Sequence, residues 1–486
     1  MSPMKIISRY VREQRRYTKN DLRNLFVYDE AGVESFIRRL KSYNILKAVR
    51  NSTEQQSLSE LLDEDVQIAD ETEDNDKFLY VFTYVGIITY GNRIIMVYPK
   101  YLLSNDKPLK EMKKVVQVLE KYNNSSEQII SSFNGDGKSK SLSFLSLILF
   151  LLNDYHEDGI YDNTEDIIEI NGEGEILWDR TIDCTFPFIK NNRPYYTQLY
   201  THKAIDNEED YFKMLHEFIL TDCSNWLKQS QLSELFDIEL LNLSENELDF
   251  FGDQEYILSR IQSELDIQFN TRKQGLLKAM YAYVSRNRKI SNDVDALTMY
   301  GTKAFNLVWE RACSEVFNNQ IQTPLGKLKL PKPLVEFYNE KQSLKDVIGK
   351  PIWQSKDVCI EAKDTLIPDI VTVNDHQLVI LDAKYYNLRL EKGKVLSGNP
   401  GIGDVTKQYL YQLAYQRFVE EHEFTEVKNC FLMPTEMDRM IEKGAVTLEM
   451  FSPLQLAHIQ VRLMPATTIF DYYLSGRKYS INDLNL

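Results

Sequence analysis

The sequence predicts a multidomain protein of the α+β or α/β class, with a winged-helix-like and mixed α/β region followed by a mixed central sheet flanked by helices. Three observations predict this class. The chain has 486 residues, which is more than a single hydrophobic core usually organises. A basic amphipathic helical pattern over residues 31–43 leads into a strand-like segment. Farther along, the apolar segments Ile370–Val373 and Leu378–Leu381 flank a polar turn, which is typical of a β-hairpin.

Charge and helical patterns divide the chain into three predicted domains. Residues 1–50 contain twelve Lys and Arg against five Asp and Glu, whereas residues 54–76 contain ten acids and no base. We therefore expect residues 51–77 to form an acidic, disordered loop within the first domain. A polar, charged stretch at Asn287–Asp295 predicts the boundary of the last domain. The predicted domains are residues 1–104, 105–290 and 291–486.

The first domain begins with two helical patterns and a strand. The second helical pattern, Ala31–Tyr43, places apolar residues on one face and Arg38, Arg39 and Lys41 on another. A strand-like segment follows at Ile45–Val49. This order is typical of a winged helix, in which the basic helix contacts DNA. Packing of the same basic face against protein is an equally weighted alternative.

The next elements are assigned from apolar periodicity. The strands of the wing are predicted at Phe78–Ile88 and Arg93–Tyr98, with a turn at Gly91-Asn92. The middle domain, suited to docking of a partner or of DNA, is predicted to be helical over 105–160 with a break at Asn134–Lys138. Strands are then predicted at Asp166–Ile170, Ile176–Trp178 and Tyr195–Tyr200, and helices at Glu208–Leu227 and Tyr256–Ser285.

Composition excludes several classes of function. The longest apolar run, Leu142–Leu152, is too short to cross a bilayer, and no signal peptide is visible, so we expect a cytoplasmic protein without a membrane. The five cysteines lack the spacing of a zinc or redox site, and the six histidines do not cluster. No phosphate-binding Walker loop is present. The net charge of −15 opposes non-specific DNA binding but does not exclude specific binding by a segregated basic surface.

The C-terminal hairpin carries the most specific chemistry of the chain. Asp369 lies at the start of its first strand and Asp382 at the end of its second, so antiparallel pairing brings the two carboxylates to one edge. Lys384, two residues beyond Asp382, points to the same face. Two acidic ligands beside an ammonium suit a hard divalent ion that activates water against a phosphodiester. A second Glu-x-Lys sequence, Glu361–Lys363, lacks a hairpin before it and is interpreted as the strand that precedes Asp369.

Pro368-Asp369, twelve intervening residues and Asp382-Ala383-Lys384 resemble the signature of PD-(D/E)xK nucleases. Other segments resemble one branch of that superfamily, the LlaJI and McrC-like restriction endonuclease subunits. These segments are Tyr84–Ile88, Tyr98–Tyr101, Gly174–Ile182, Trp309-Glu310 and Gln408–Gln412. The resemblance implies a C-terminal restriction-endonuclease-like fold.

The resemblance also assigns roles to residues around the hairpin. It implies that Glu310, on a helix predicted at Lys303–Asn318, reaches the metal site, although an exposed helix acid is the plain alternative. Asp369, Asp382, the Ala383 carbonyl and Glu310 would then bind Mg²⁺, with Mn²⁺ as a substitute.

A second helix, predicted at Asp404–Glu420, follows the hairpin. The resemblance makes it the helix behind the active site. Gln408 is then expected to position the phosphate or the site, and Lys407 and Gln412 to contact DNA. Gln408 and Gln412 share one helical face, so a solvent-facing polar stripe is the alternative interpretation.

The sequence and the resemblance together predict a Mg²⁺-dependent DNA endonuclease subunit of a restriction system that defends against foreign DNA. The resemblance implies a site-specific deoxyribonuclease of the type II or McrBC-like kind, acting on double-stranded DNA with a separate McrB-like AAA+ GTPase. Assembly of a homodimer would allow cleavage of both strands. Two alternatives stay open: a catalytically inactive adaptor of nuclease fold that stimulates a motor, and a winged-helix DNA-binding regulator.

Overall fold

The computed structural model describes residues 6–50, 78–123, 144–162, 164–206, 210–292 and 297–486. The chain divides into two compact units, of which the first combines residues 1–125 with 299–486 and the second comprises 126–298. The first and last of the predicted domains therefore contribute to one unit. The predicted acidic loop 51–77 and the predicted helix break at Asn134–Lys138 lie outside the described residues.

The N-terminal part of the first unit contains two capped helices and a small antiparallel sheet. Thr18 and Asp21 form a reciprocal capping box at the start of the first helix, and Asp29 caps the second by accepting from the Gly32 N–H. Both helices bury the apolar face that the sequence predicts. The helices are α1 (Lys19–Phe26), α2 (Glu30–Ser42) and α3 (Leu109–Asn123). The strands are β1 (Ile7–Arg12), β2 (Arg16–Tyr17), β3 (Leu46–Arg50), β4 (Phe78–Phe82), β5 (Val85–Tyr90) and β6 (Arg93–Tyr98).

The pairing of these strands contradicts part of the wing that the sequence predicts. The sheet beside α1 and α2 has the order β2-β4-β3, and β4 ends at Phe82. The following hairpin, β5 and β6, turns at Gly91-Asn92 as predicted but belongs to another sheet, where β6 pairs in parallel with β1. Arg93–Tyr98 is therefore not a strand of the wing. Apolar residues on nearly every position of β5 and β6 indicate burial on both faces, which a wing does not have.

Two glycines join the β5–β6 hairpin to the chain that leads into the C-terminal part of the unit. Gly86 has φ +138° and Gly301 has φ +148°. A Cβ atom on Gly86 would lie 2.2 Å from the Tyr300 carbonyl oxygen, and one on Gly301 would lie 2.2 Å from the Val85 carbonyl oxygen. Only glycine permits this backbone crossing, which explains the glycine in the Tyr84–Ile88 segment.

The second unit combines buried helices with small antiparallel sheets. Its first helix is apolar on most of its faces, and Phe144 packs against Trp226 and Tyr283. The strands are β7 (Thr164–Ile170), β8 (Glu175–Ile176), β9 (Phe188–Lys190), β10 (Arg193–Tyr195) and β11 (Tyr200–Asp206). The helices are α4 (Phe144–Asp158), α5 (Trp178–Cys184), α6 (Tyr211–Gln229), α7 (Ser233–Phe236), α8 (Gln254–Ile267) and α9 (Thr271–Asn292).

Three predictions for this unit are wrong in detail. Trp178 begins a helix rather than ending a strand. The strand predicted at Tyr195–Tyr200 is a connection between β10 and β11. The single helix predicted at Tyr256–Ser285 is two helices, because the chain is extended at Gln268 before α9 begins.

The C-terminal part of the first unit is a mixed five-stranded sheet with helices packed against it. The strand order is β15-β16-β17-β19-β18, with parallel pairing of β16 to β17 and of β17 to β19. Its strands and those before it are β12 (Leu297–Thr302), β13 (Ile352–Gln354), β14 (Cys359–Glu361), β15 (Ile370–Asn374), β16 (Gln377–Ala383), β17 (Glu426–Thr435), β18 (Ile441–Val446) and β19 (Ile459–Pro465). Its helices are α10 (Phe305–Val316), α11 (Ile402–Glu421) and α12 (Ala466–Ser475).

Helices cover this sheet because β16 is apolar on both faces. Leu378 and Ile380 pack with residues of α11 in one core. Val379 and Leu381, which alternate with them, are equally buried. The helix α10 also contacts β16 and packs against α12 through Trp309 and Phe470. The predicted mixed sheet with flanking helices is therefore confirmed as an architecture.

The strand that contains Glu361 does not join this sheet. It pairs instead with Ile352–Gln354 in a separate two-stranded hairpin whose residues are exposed. Among the described residues, no helix is long and apolar enough to span a membrane.

Candidate active site

The backbone of the β15–β16 hairpin brings Asp369 and Asp382 together. Ile370 pairs with Leu381, so Asp369, which precedes Ile370, lies beside Asp382, which follows Leu381. A two-residue turn at Asp375-His376 sets this register, and Asp375 adopts the left-handed conformation with φ 51°. The Ala383 N–H donates to Asp369 Oδ2 at 3.1 Å, which holds the first carboxylate against the end of the second strand.

Both carboxylates are in an environment that disfavours their charged form. Asp382 is 3% exposed, and burial followed by repulsion from Asp369 raises its pKa well above the ordinary value. Burial also raises the pKa of Asp369, and the nearby Glu310 adds to this shift. Two buried acids at one strand end therefore resist ionisation together. Perturbed carboxylates of this kind are enriched at functional sites, which makes the pair the candidate site of this domain.

Lys384 supplies a positive charge to the site. Its Nζ lies 2.9 Å from Asp382 Oδ2 and 3.1 Å from Asp404 Oδ1. Burial lowers the pKa of Lys384, but the nearby aspartates outweigh the effect of burial and hold this pKa above its ordinary value. The ammonium is therefore charged at neutral pH and is shared between two carboxylates. The structure thus brings together the Asp/Asp/Lys set that the sequence predicts.

Helix α10 carries Glu310 towards the same site. Burial, and then repulsion from Asp382, raises the pKa of Glu310, while Lys384 lowers it. The neighbouring Trp309 is fully buried, and its Nε1 donates to the Leu432 carbonyl at 3.2 Å. That carbonyl also accepts from the Lys384 N–H at 2.9 Å. One backbone oxygen of β17 therefore fixes both the helix of Glu310 and the backbone of Lys384.

The glutamines of α11 lie at the interface between the helix and the sheet. Gln408 is fully buried, and its Nε2 donates to Asn429 Oδ1 at 2.7 Å. Asn429 Nδ2 in turn donates to Gln412 Oε1 at 3.4 Å. The interpretation of these glutamines as a solvent-facing stripe is therefore wrong, because they pair with a polar side chain of β17. Lys407 is exposed on the outer face of the helix.

Sequence reasoning missed two polar residues that complete the site. It used Asp404 only as a helix boundary, yet Asp404 binds Lys384 and also accepts from the Tyr386 hydroxyl at 3.3 Å. It did not single out Tyr411, whose pKa rises to about 12 through burial and then through the charges of Asp382 and Asp369. Helical spacing was the available signal, since Asp404, Gln408 and Tyr411 follow one another at intervals of four and three.

Residues of the N-terminal part anchor the chain directly after Lys384. The Tyr385 hydroxyl donates to Glu13 Oε2 at 2.6 Å, and the Lys100 N–H donates to the same oxygen at 3.1 Å. Lys100 Nζ lies 4.6 Å from the centre of the Tyr385 ring and 3.2 Å from Gln14 Oε1. Burial raises the pKa of Glu13 and lowers that of Lys100, and each partner opposes the shift of the other. These contacts give Lys100, the lysine of the Tyr98–Tyr101 segment, a structural role.

The basic residues predicted to bind DNA lie apart from this hairpin, on α2. Arg38 is exposed, and Lys41 is half-buried. The guanidinium of Arg39 stacks 5.1 Å above the centre of the Tyr43 ring, so part of this basic face packs against its own module.

The donor set at the strand end fits a divalent cation of the hard type. Within the residues that the structure describes, no group of three or more His, Cys, Asp or Glu side chains is arranged to hold a metal ion. The acid pair supplies two facing carboxylates, and Mg²⁺ commonly takes one or two carboxylates and fills its other positions with water and other oxygens. Ala383 lies between Asp382 and Lys384, and the family resemblance implies its carbonyl as a further oxygen ligand.

The structure thus places a buried acid pair and a lysine together at the end of a mixed sheet. The family model for the LlaJI restriction endonuclease matches residues 84–464, and the chain belongs to this family. The match covers most of the chain and includes the hairpin, α10 and α11. The resemblance stated from the sequence is therefore confirmed.

Individual proteins are also similar to this chain. A curated relative, the type II restriction enzyme BsuMI component YdjA of Bacillus subtilis strain 168, is 28% identical over 421 residues, which is 83% of each chain. Two solved assemblies from Thermococcus gammatolerans are more distant. The half-complex of McrB AAA+ hexamers with bound McrC matches with a TM-score of 0.38 and 13% identity, over 96% of this chain and 99% of that one. The McrBC complex matches with a TM-score of 0.25 and 13% identity, over 63% of this chain and 85% of that one.

Proposed function

We propose that this protein is a Mg²⁺-dependent DNA endonuclease subunit of a restriction system. The observation that carries the proposal is the buried pair of Asp369 and Asp382 beside the charged Lys384. Membership of a restriction endonuclease family supports the same substrate class. In this proposal the C-terminal part has the PD-(D/E)xK fold, and the reaction is hydrolysis of a phosphodiester in double-stranded DNA.

Each residue of the site has a role in this proposal. Asp369, Asp382 and the Ala383 carbonyl hold Mg²⁺, or Mn²⁺ in its place, with Glu310 as a further acid of the metal site. The cation, when bound, supplies Lewis-acid stabilisation of the phosphate and lowers the pKa of a bound water. Lys384 orients the attacking water and offsets the negative charge that develops on the phosphate. Gln408 positions β16 through its contacts with Asn429 and, at 3.5 Å, with the Ile380 carbonyl.

DNA contacts are proposed on two surfaces. Lys407 is exposed on α11, where an ammonium can neutralise a backbone phosphate. Gln412 is 7% exposed, and this burial supports a positioning role for it rather than direct contact with DNA. The order of β2, α1, α2, β3 and β4, with β4 in the middle of the sheet, supports a winged-helix module that presents Arg38, Arg39 and Lys41.

A motor partner is also part of the proposal. The sequence lacks a Walker loop, so nucleotide hydrolysis requires another chain. In one of the two Thermococcus assemblies, McrC is bound to McrB AAA+ hexamers. We propose an McrB-like AAA+ GTPase as the partner here, and a homodimer of this chain as the form that cuts both strands.

Cleavage of supercoiled plasmid in Mn²⁺ tests the proposal. The wild type is expected to nick or cut the plasmid, alone or with its AAA+ partner and GTP, and Asp382→Ala is expected to lose cleavage while keeping its thermal unfolding midpoint within a few degrees. Glu361→Ala is the matched control, because it removes the acid of the second Glu-x-Lys sequence on an exposed hairpin. It should cleave like the wild type.

Three other outcomes would each count against the assignment. Equal cleavage by the wild type and by Asp382→Ala would place the chemistry elsewhere or in a contaminant. Loss of cleavage in both variants would show a general defect. No cleavage by any form, with the partner and GTP present, would favour the inactive adaptor.

A further inference from the structure

Asp404 is a polar residue beside the proposed site that the roles above do not use. It lies in the first turn of α11, whereas Asp369, Asp382 and Lys384 all belong to the β15–β16 hairpin and its end. Its side chain is 23% exposed and makes two contacts, one from each oxygen. Oδ1 lies 3.1 Å from Lys384 Nζ, and Oδ2 accepts from the Tyr386 hydroxyl at 3.3 Å.

The position of the Lys384 ammonium depends on how many carboxylates hold it. Asp382 alone, at 2.9 Å, would keep it directly on a proposed metal ligand. A divalent cation on Asp382 competes for the same carboxylate oxygens, so the ammonium needs a second anion to stay in the site. Asp404 lies on another element, α11, and supplies this second anion at 3.1 Å from Lys384 Nζ.

Tyr386 fixes the orientation of Asp404. Its hydroxyl occupies the oxygen of Asp404 that does not contact Lys384, which leaves the other oxygen directed at the ammonium. The ring of Tyr386 is itself near Lys100 Nζ, 5.8 Å from the ring centre. The chain after the lysine is thus restrained on both sides, by α11 and by the N-terminal part of the unit.

We propose that Asp404 is a positioning residue that holds Lys384 beside the scissile phosphate and frees Asp382 for the cation, with Tyr386 as the residue that orients it. This inference rests on the proposed nuclease function. Asp404 touches neither the phosphate nor the cation in this arrangement. Its contribution is made entirely through Lys384.

Asp404→Asn removes the charge with little change of shape and is the main test. We expect the single-turnover rate of plasmid cleavage in Mn²⁺ to fall roughly 10- to 100-fold, because a displaced catalytic group costs about this much. The dissociation constant for the same DNA, measured by fluorescence anisotropy in Ca²⁺, should stay within about twofold, since the DNA surface is unchanged. Asp404→Glu should recover part of the rate, and Tyr386→Phe should lose less than Asp404→Asn.

Glu420→Gln is the matched control, since it neutralises an exposed carboxylate of the same helix that accepts from Gln416 Nε2. Its rate should equal that of the wild type. Thermal unfolding of all variants excludes a folding defect, and calorimetric titration with Mn²⁺ gives a readout independent of cleavage. Asp404→Asn should bind Mn²⁺ more weakly, because the ammonium then depends on Asp382 alone.

Several results would overturn the inference while leaving the nuclease intact. Cleavage by Asp404→Asn within about twofold of the wild type would do so if Lys384→Ala and Asp382→Ala are inactive. A loss explained by weaker DNA binding, or shared by Glu420→Gln, would also do so. If Lys384→Ala and Asp382→Ala cleave like the wild type, the proposed function itself fails.

Discussion

Lys100→Met should destabilise the first unit strongly, because it leaves the Glu13 carboxylate buried without its cation. Both groups are almost completely inaccessible, so solvent screens little of their interaction. Lys100 Nζ donates to Gln14 Oε1 rather than to Glu13, so its charge acts on the Glu13 carboxylate without a direct ion pair. Removal of one partner of a directly bonded buried pair costs about 3–5 kcal/mol, which is an upper bound here. Glu13 keeps the Tyr385 hydroxyl at 2.6 Å and the backbone N–H of residue 100 at 3.1 Å, which offsets part of the loss. We therefore expect a loss of about 2 kcal/mol, below that range.

A double-mutant cycle with Glu13→Gln separates the pair from general packing. Glu13→Gln keeps an oxygen that accepts from Tyr385, and the double variant should recover about 1–3 kcal/mol relative to the sum of the single changes. Differential scanning calorimetry follows the unfolding of this unit, and Lys107→Met, at an exposed lysine, is the control. Additive effects, or a loss below about 0.5 kcal/mol in Lys100→Met, would refute the reasoning, since such a loss is typical of an exposed site.

Two further predictions concern Asp369 and His216. Asp369→Asn should abolish cleavage. It should also raise the stability of the metal-free protein at pH 7 by about 1 kcal/mol, measured by denaturant unfolding. The reason is that the pKa of Asp369 is raised in the folded protein, so that its ionisation lowers the free energy of unfolding at a pH above that pKa. Mn²⁺ should stabilise the wild type but not this variant, and equal stabilisation of both would contradict the assignment. In the second unit, burial, with a smaller contribution from Arg272, lowers the pKa of His216 to about 3, and its Nδ1 accepts from the Tyr161 N–H at 3.0 Å. Its contribution to stability is therefore present above about pH 6.5 and is lost as the pH falls towards 3, which amounts to about 2 kcal/mol at pH 5. His216→Asn, which keeps an acceptor, should show a smaller loss between pH 7 and pH 5 in the same unfolding assay; an unchanged loss would exclude this histidine as the cause.

The β15–β16 hairpin could be predicted from the sequence because its signals are local. The two apolar runs, the polar turn between them and the positions of Asp369 and Asp382 all lie within one short segment. The register then follows from antiparallel pairing, without knowledge of the rest of the chain. The helix of Glu310 was predictable for the same reason, since its buried face repeats with the helical period.

The surroundings of the hairpin could not be predicted, since they depend on contacts between distant segments. Gln408 resembles a surface residue in the sequence, and only its partner Asn429 on β17 shows that it is buried. Asp404 resembles an N-terminal helix acid, and its pairing with Lys384 depends on where α11 packs. The β5–β6 hairpin resembles a wing until its parallel partner β1, some 80 residues earlier in the chain, is known.

The N-terminal residues belong to the same structural unit as the proposed catalytic centre, and this has a mechanical consequence. Glu13 and Lys100 hold Tyr385, the residue after Lys384, while Glu436 accepts from the N–H groups of Leu103 and Ser104 at 2.7 and 3.0 Å. Any force that shifts the N-terminal part therefore acts on the backbone that carries the lysine. A displacement of about 1 Å is enough to change a reaction rate by roughly two orders of magnitude. A shift of the N-terminal part is therefore expected to alter the proposed reaction rate without any change at the carboxylates.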